Sequence, residues 1–345
     1  MKHNLKVKQT RNLNKEKAIN LHYACLTCLL SQTQSVAKNT RCCDEIALQN
    51  HIAQILPQSL GTLQELNPQD KAYLENLLKD FLKEKGVDLG ENFEIPPTLL
   101  AILVYEKISD FVGKASLFKT LKHQSILKAR EIKENLQKKI LPMLATIPPL
   151  EILELGIRCG ALGNVIDYGA QKTFDLDLEL TQIFTAPFAI FESESFLAKL
   201  WQSQNLLYIG DNAGENEFDE ILIQILKHLN PTMKIFYFVR GFEIINDVTL
   251  EDLQTTQSKL FELCEVIDSG VGTPGFIPKL ANAKAQEIFQ QADLILAKGM
   301  GNFESLEVSA GERLYLLFKI KCEVVACYLK KQLGDFVFMN AAQKR

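Results

Sequence analysis

The apolar positions of this chain change rhythm partway along. From about Lys15 to Asn164 they recur at helical spacing, interrupted where turn formers gather, at Pro57 to Asp70 and at Gly86 to Pro97. Leu99, Leu100, Leu103, Ile108 and Val112 mark a helix over Pro97 to Val112, and a longer Lys-rich helix runs from Leu117 to Leu144. No strand pattern intervenes. After Leu206 short apolar runs alternate with helical stretches, the signature of repeated strand-helix units and a parallel sheet. The runs are Leu206 to Ile209, Ile235 to Val239, Leu263 to Ile267, Leu294 to Ala297, and a late pair, Val324-Val325 with Phe336 to Phe338. Between the first two, Phe218, Ile221, Leu222, Ile225, Leu226 and Leu229 share one helical face and form a crossover helix. Gln171 to Gln204 is mixed and takes no assignment. The reading is an α/β protein with a helical domain over 1–165 and an α/β domain over 166–345.

Composition narrows the function classes. At 345 residues, 47% apolar and 23% charged, the chain is long enough for two packed cores. A formal net charge of -4 gives no global attraction to nucleic acid or to an anionic membrane, so any anion must be caught locally. No stretch approaches the roughly 18 apolar residues that span a bilayer, and no apolar signal segment opens the chain, so a cytoplasmic location is expected. The basic run Lys114 to Lys139 contains Glu131, Glu134 and a lone ring, Phe118, and reads as a solvated helix face. The eight cysteines are too dispersed for a disulfide scaffold. Cys25 and Cys28 could form a soft-metal or redox site, but read more simply as small hydrophobes on a helix face, with Cys42-Cys43 adjacent rather than spaced for zinc.

The chemistry gathers after the strands. Asp211-Asn212 follows the first run, Arg240-Gly241 the second, Asp268-Ser269-Gly270 the third and Lys298-Gly299 the fourth. Ligands of open parallel sheets bind beyond the strand carboxyl ends, so these groups should line one cleft. Asp211 and Asn212 offer hard oxygens suited to Mg²⁺ or Mn²⁺, and Asp247 could supply a second carboxylate, leaving part of an octahedral shell open. Each also has a local alternative. Asp211 and Asn212 could cap a helix beginning near Asn216, and Asp247 precedes Thr249 to Asp252, a capping-box variant. Lys298 adds a point charge beside Gly299 and Gly301, which let the backbone approach an anion. Asp268 to Gly275 reads as a flexible Gly-rich loop that could cover the cleft. Neither a nucleotide P-loop nor a dinucleotide fingerprint is present, which argues against a kinase or dehydrogenase.

Gly210-Asp-Asn-Ala-Gly-Glu215, Asn246-Asp247 and Lys298-Gly-Met-Gly-Asn-Phe-Glu304 resemble motifs of the damage-control phosphatases, metal-dependent enzymes catalogued as domain of unknown function 89. Gly163-Asn-Val-Ile-Asp-Tyr-Gly169 extends the match, and Cys25-Leu-Thr-Cys28-Leu-Leu-Ser-Gln32 is similar to the cysteine-bearing prokaryotic branch. The resemblance implies a helical domain on a three-layer α/β/α sandwich with a Rossmann-like, mostly parallel sheet. It implies a divalent metal (Mn, Mg, Co or Ni) held by Asp211, Asn212 and Asp247, and a phosphate held by Lys298. Asn164 and Asp167 would contribute from the end of the helical half, where a helix C-cap and a turn are the alternative, and Glu215, Arg240 and Gly299 would add substrate contacts. Around Ser116 to His123 the chain departs from the family pattern, with Ser-Leu-Phe-Lys-Thr-Leu-Lys122 where Asp-Pro-Tyr precedes an Ile-Lys. The expected activity is hydrolysis of phosphate monoesters of small metabolites, catalysed by Asp211, Asp247 and Lys298. The rival classes are an S-adenosylmethionine-dependent carboxyl methyltransferase and a non-enzymatic metal- or metabolite-binding protein.

Overall fold

Side chains along each central strand alternate between two apolar layers. Leu206 and Tyr208 enter one, Leu207 and Ile209 the other; Leu294 and Leu296 oppose Ile295 and Ala297 in the same way. Such runs, apolar on both faces, suit strands covered on both sides by helices. The computed structural model describes residues 21–40, 43–57, 63–90, 95–113, 116–164, 185, 187–306 and 310–343.

Helices come first: α1 (Tyr23–Thr40), α2 (Glu45–Ala53), α3 (Pro68–Glu84), α4 (Pro97–Val112), α5 (Lys119–Ile140) and α6 (Pro149–Ala161). Then follow β1 (Phe188–Phe191), α7 (Ser193–Leu200), β2 (Asn205–Ile209), α8 (Glu215–Leu229), β3 (Lys234–Val239), α9 (Leu250–Thr255), α10 (Leu260–Leu263) and β4 (Glu265–Asp268). The chain continues through α11 (Ala283–Gln291), β5 (Leu294–Lys298), α12 (Met300–Leu306), β6 (Leu314–Lys319), α13 (Glu323–Leu329) and β7 (Phe336–Asn340). The strands form one seven-stranded sheet in the order β1-β7-β6-β5-β2-β3-β4, parallel throughout except for the antiparallel β6–β7 pair. The protein is therefore a mixed α/β fold with a mostly parallel sheet.

One sheet face is packed by α6, α7 and α8 through residues such as Leu153, Phe196 and Leu222, the other by α11, α12 and α13 through Phe289, Phe303 and Val325. The N-terminal helices α1 to α4 gather around a core of their own, which Ile244 and Ile277 join from beyond the strands. Helices α5 and α6 pack instead on α8, through Ala129, Ile132, Phe218 and Ile225, so packing groups them with the sheet.

Several expectations shift. Val324-Val325 lies in α13, not in a strand: Cys322 accepts from the Val325 N–H and starts a helix there. Two strands, β1 and β6, went unread. The basic run is not simply solvated, because Lys122 and Lys133 are buried and ion-paired.

Candidate active site

The strand order runs outward from β2 in both directions, to β3 on one side and β5 on the other. That is the topological switch point, and the crevice beyond it is where ligands of such sheets bind. Asp211 and Asn212 leave β2 on one side of this crevice, while Lys298 is the last residue of β5 on the other. At the switch point the two sit against each other through Gly299. With φ at 87°, Gly299 occupies backbone space where a Cβ would lie 2.2 Å from Asp211 Oδ2, so only glycine fits. The Gly299 N–H is used within the sheet, donating to the Leu317 carbonyl at 3.0 Å.

Strand alternation sends Lys298 to the sheet face that α8 covers, together with Tyr208 of β2 and Tyr237 of β3. Glu215 and Asp219 lie four apart on α8 and meet that face as neighbours. The Lys298 Nζ therefore lies 2.9 Å from Glu215 and donates to Asp219 Oδ1 at 2.6 Å. Asp219 also accepts from the Tyr208 hydroxyl at 2.6 Å and the Tyr237 hydroxyl at 2.7 Å. Burial opposes the lysine charge, but Asp219 and Glu215 outweigh it and hold the ammonium well above its ordinary range. Burial pushes the Asp219 carboxyl up, while Lys298 and the two phenols pull it back. Asp219 and the tyrosines were not read from the sequence, in which Asp219 looks like a polar position of an amphipathic helix.

The loop after β3 completes the group. Arg240 donates through Nε to Asp247 Oδ2 at 2.7 Å and through Nη2 to the Pro274 carbonyl at 2.7 Å, with Asp211 Oδ1 4.0 Å away. Asp211 and Asp247 are brought together by the backbone as well, since Val248 N–H donates to the Asp211 carbonyl at 2.9 Å and Ala213 N–H to the Asn246 carbonyl at 2.8 Å. The capping alternatives separate cleanly. Helix α8 is capped at Gly214 without a side-chain bond, leaving Asp211 and Asn212 free of that duty. Thr249 and Asp252 do form a capping box on α9, which leaves the Asp247 carboxylate to Arg240. Asn212 donates from Nδ2 to Asp211 Oδ2 at 3.0 Å and to Glu215 Oε1 at 2.9 Å, tying both carboxylates together.

Four buried carboxylates, Asp211, Glu215, Asp219 and Asp247, stand against two cations in direct contact, Lys298 and Arg240. The excess of negative charge falls on Asp211. Burial first, then Glu215 and Asp247, push its carboxyl well above the ordinary range. Burial also raises Asp247, to about 6, against the pull of Arg240. Neither the Oδ1 of Asp211 nor that of Asp247 accepts a hydrogen bond among the described residues. Buried hard oxygens that accept no hydrogen bond, with surplus negative charge, fit a divalent cation. No group of three or more His, Cys, Asp or Glu side chains among the described residues is itself arranged as a metal cluster.

The Gly-rich loop is anchored rather than flexible, which corrects that expectation: Ser269, Val271, Thr273 and Phe276 are buried, and a Cβ on Gly241 would lie 2.5 Å from the Gly270 Cα. The end of the helical half also reaches the site, since a Cβ on Gly163 would fall 2.2 Å from Glu215 Cγ. The Asn164 side chain and Asp167 lie outside the described residues. Cys25, Cys28 and Cys322 form no disulfide, and burial raises all three thiols, Cys25 to about 12 and Cys322 to about 11, keeping them protonated.

Comparison with known proteins converges on one family. A protein named damage-control phosphatase PH1575, from Pyrococcus horikoshii, is 29% identical over 325 residues, 93% of this chain and 98% of the relative. An uncharacterized protein of Methanocaldococcus jannaschii is 32% identical over 71% of this chain and 80% of its own length, and a damage-control phosphatase of Archaeoglobus fulgidus is 27% identical over 76% and 90%. The crystal structure of a DUF89 family protein from Pyrococcus horikoshii superposes with a TM-score of 0.71 at 27% identity, covering 93% of this chain and 99% of that one. Residues 21–337 match the damage-control phosphatase ARMT1-like domain, and the chain belongs to that family.

Proposed function

We propose that this chain is a metal-dependent phosphatase that hydrolyses phosphate monoesters of small metabolites, sugar phosphates or similar damaged compounds. The observation that carries the reading is Asp211: a buried carboxylate with one oxygen accepting no hydrogen bond and a raised pKa, beside Arg240 at the switch point of the sheet. Asp211 and Asp247 would hold a divalent ion (Mn, Mg, Co or Ni) through their open oxygens, joined by Asn212 Oδ1 once its amide turns over. Bound there, the ion supplies Lewis-acid polarisation of the phosphoryl group and a more acidic water. Lys298 and Arg240 meet the non-bridging oxygens, each exchanging a carboxylate contact for the phosphate. Glu215 sets the spacing between lysine and metal ligands, because its two oxygens face Lys298 and Asn212. Asp211 or Asp247 orients the attacking water. Gly299, Asn164 and Asp167 would add substrate contacts, as the family resemblance implies.

The same reading takes the architecture as a three-layer α/β/α sandwich preceded by a helical unit over 1–165, with α5 and α6 of that unit serving as cover for α8. No helix among the described residues is long and apolar enough to cross a membrane, and we place the activity in the cytoplasm.

The test compares the wild-type chain with Asp211→Ala on para-nitrophenyl phosphate, after chelation and again with each ion restored. Wild type should turn over only with an ion, and the variant should lose about 100-fold or more. Undiminished activity in Asp211→Ala, or in chelated wild type, would sink the assignment. Uptake of S-adenosylmethionine without any ion, and without turnover, would favour the methyltransferase instead.

A further inference from the structure

The loop Arg240–Asp247 carries a cation at one end and a carboxylate at the other, and backbone bridges hold its two ends, Arg240 to Thr249 and Asp247 to Asn212. Between those ends no helix or strand fixes it, and its further anchorage comes from the N-terminal half. Ile244 is buried in the core of α1 to α4, and Ile245 packs against that core. To seat both side chains the backbone adopts φ 47° at Ile245, an uncommon conformation for a β-branched residue. Glu243 then reaches the turn that opens α5, accepting from Ser116 Oγ at 2.6 Å, Leu117 N–H at 2.7 Å and Phe118 N–H at 3.2 Å. One turn into α5, the buried Lys122 donates to Asp252 Oδ2 at 2.6 Å and to the Asp247 carbonyl at 3.4 Å, with Glu243 Oε2 3.9 Å away. The same Asp252 oxygen accepts from the N–H and hydroxyl of Thr249, so the chain on both sides of Asp247 is tied to one ammonium group.

We propose that Lys122 and Glu243 are positioning residues that clasp the Arg240–Asp247 loop onto α5 and so hold the Asp247 carboxylate at the distance from Asp211 that a cation requires. The inference rests on the metal reading of Asp247 given above. It also assigns a role to Ser116 to Lys122, within the stretch whose sequence departs from the family pattern: it grips the loop. The bridges at its ends fix the backbone of Asp247, and support from behind narrows what its carboxylate can sample, as second-layer contacts do for a ligand.

Two measurements on Lys122→Met and Glu243→Ala test this. Hydrogen exchange of the metal-free chain reads the clasp directly: amides over 241–248 should exchange about tenfold faster in each variant, while β2 and β5 stay protected. Titration with Mn²⁺ alone should show affinity falling about 10–100-fold, with kcat restored at saturating ion, as expected of a group that supports a ligand. A variant that merely weakened the fold would raise exchange throughout the sheet and would not recover with ion. Glu243 is only half-buried, so Glu243→Ala decides the matter should Lys122→Met fail to fold. Unchanged exchange over 241–248 overturns the clasp. Wild-type protein that takes up no Mn²⁺ overturns the metal reading instead, and exchange then decides the clasp alone.

Discussion

Glu304, six residues beyond Lys298, stands apart from the ion pairs around it. Burial alone pushes its carboxyl up to about 7, and the thiols of Cys25, Cys28 and Cys322 feel its charge. An unfolded Glu titrates near 4.3, so the folded chain retains this proton longer than the unfolded one. The stability tied to the neutral form is complete below about pH 4 and is lost as pH rises through about 7. Glu304→Gln, neutral at every pH, should therefore melt near wild type at pH 4.5 and clearly above it at pH 8. A melting-temperature gap that stays constant with pH would contradict this. At the same scale, the sequence pointed to Asp211 and Lys298 because each follows an apolar strand run, and the structure brings both to the switch point; Asp247, farther from its strand, was reached only as a second carboxylate. Lys122, Asp219, Tyr208 and Tyr237 were not legible, because each has an ordinary role in its own helix or strand and acquires its partner only across the fold.

Helix α8 shows why an element can hide its function. Its sequence shows one apolar face and reads as a crossover helix, yet every residue from Glu215 to Ile223 is buried, the polar ones included. The polar face is turned inward and satisfied there. Arg130 donates to Glu217 at 2.9 Å, and Lys133 joins Glu217 at 2.7 Å to Glu220 at 2.5 Å. Breaking such a buried pair leaves an unmatched charge, at a cost of about 3–5 kcal/mol. Lys133→Met should destabilise the chain by about that amount in urea, and adding Glu220→Gln should recover a good part, a coupling that a double-mutant cycle measures. Additive effects would show that the two charges do not share their stabilisation. Elsewhere legibility followed length and pattern. The isolated runs of β2, β3 and β5 announced themselves, whereas β6 lies in the apolar stretch Leu314 to Ile320 close to the Val324-Val325 pair, where periodicity cannot separate strand from helix.

At the scale of the whole molecule, the surplus charge of the crevice bears on stability as well as on chemistry. An ion that binds only the folded chain stabilises it by about 2.7 kcal/mol at 100 times its Kd. Mn²⁺ should thus raise the melting temperature of wild type and leave Asp211→Ala unmoved. The gain should shrink as pH falls through about 6, where Asp247 takes up a proton. A pH-independent gain, or one retained by the variant, would point to binding elsewhere. The fold that arranges this crevice also sets an order of events in synthesis. The helices α1 to α4 are made first, yet Ile244 and Ile277, which complete their core, leave the ribosome only after β3 and β4 have been made. The first-made part of the chain must wait for residues from the middle of the sheet half before it can close, and until then its apolar faces are open to chaperones.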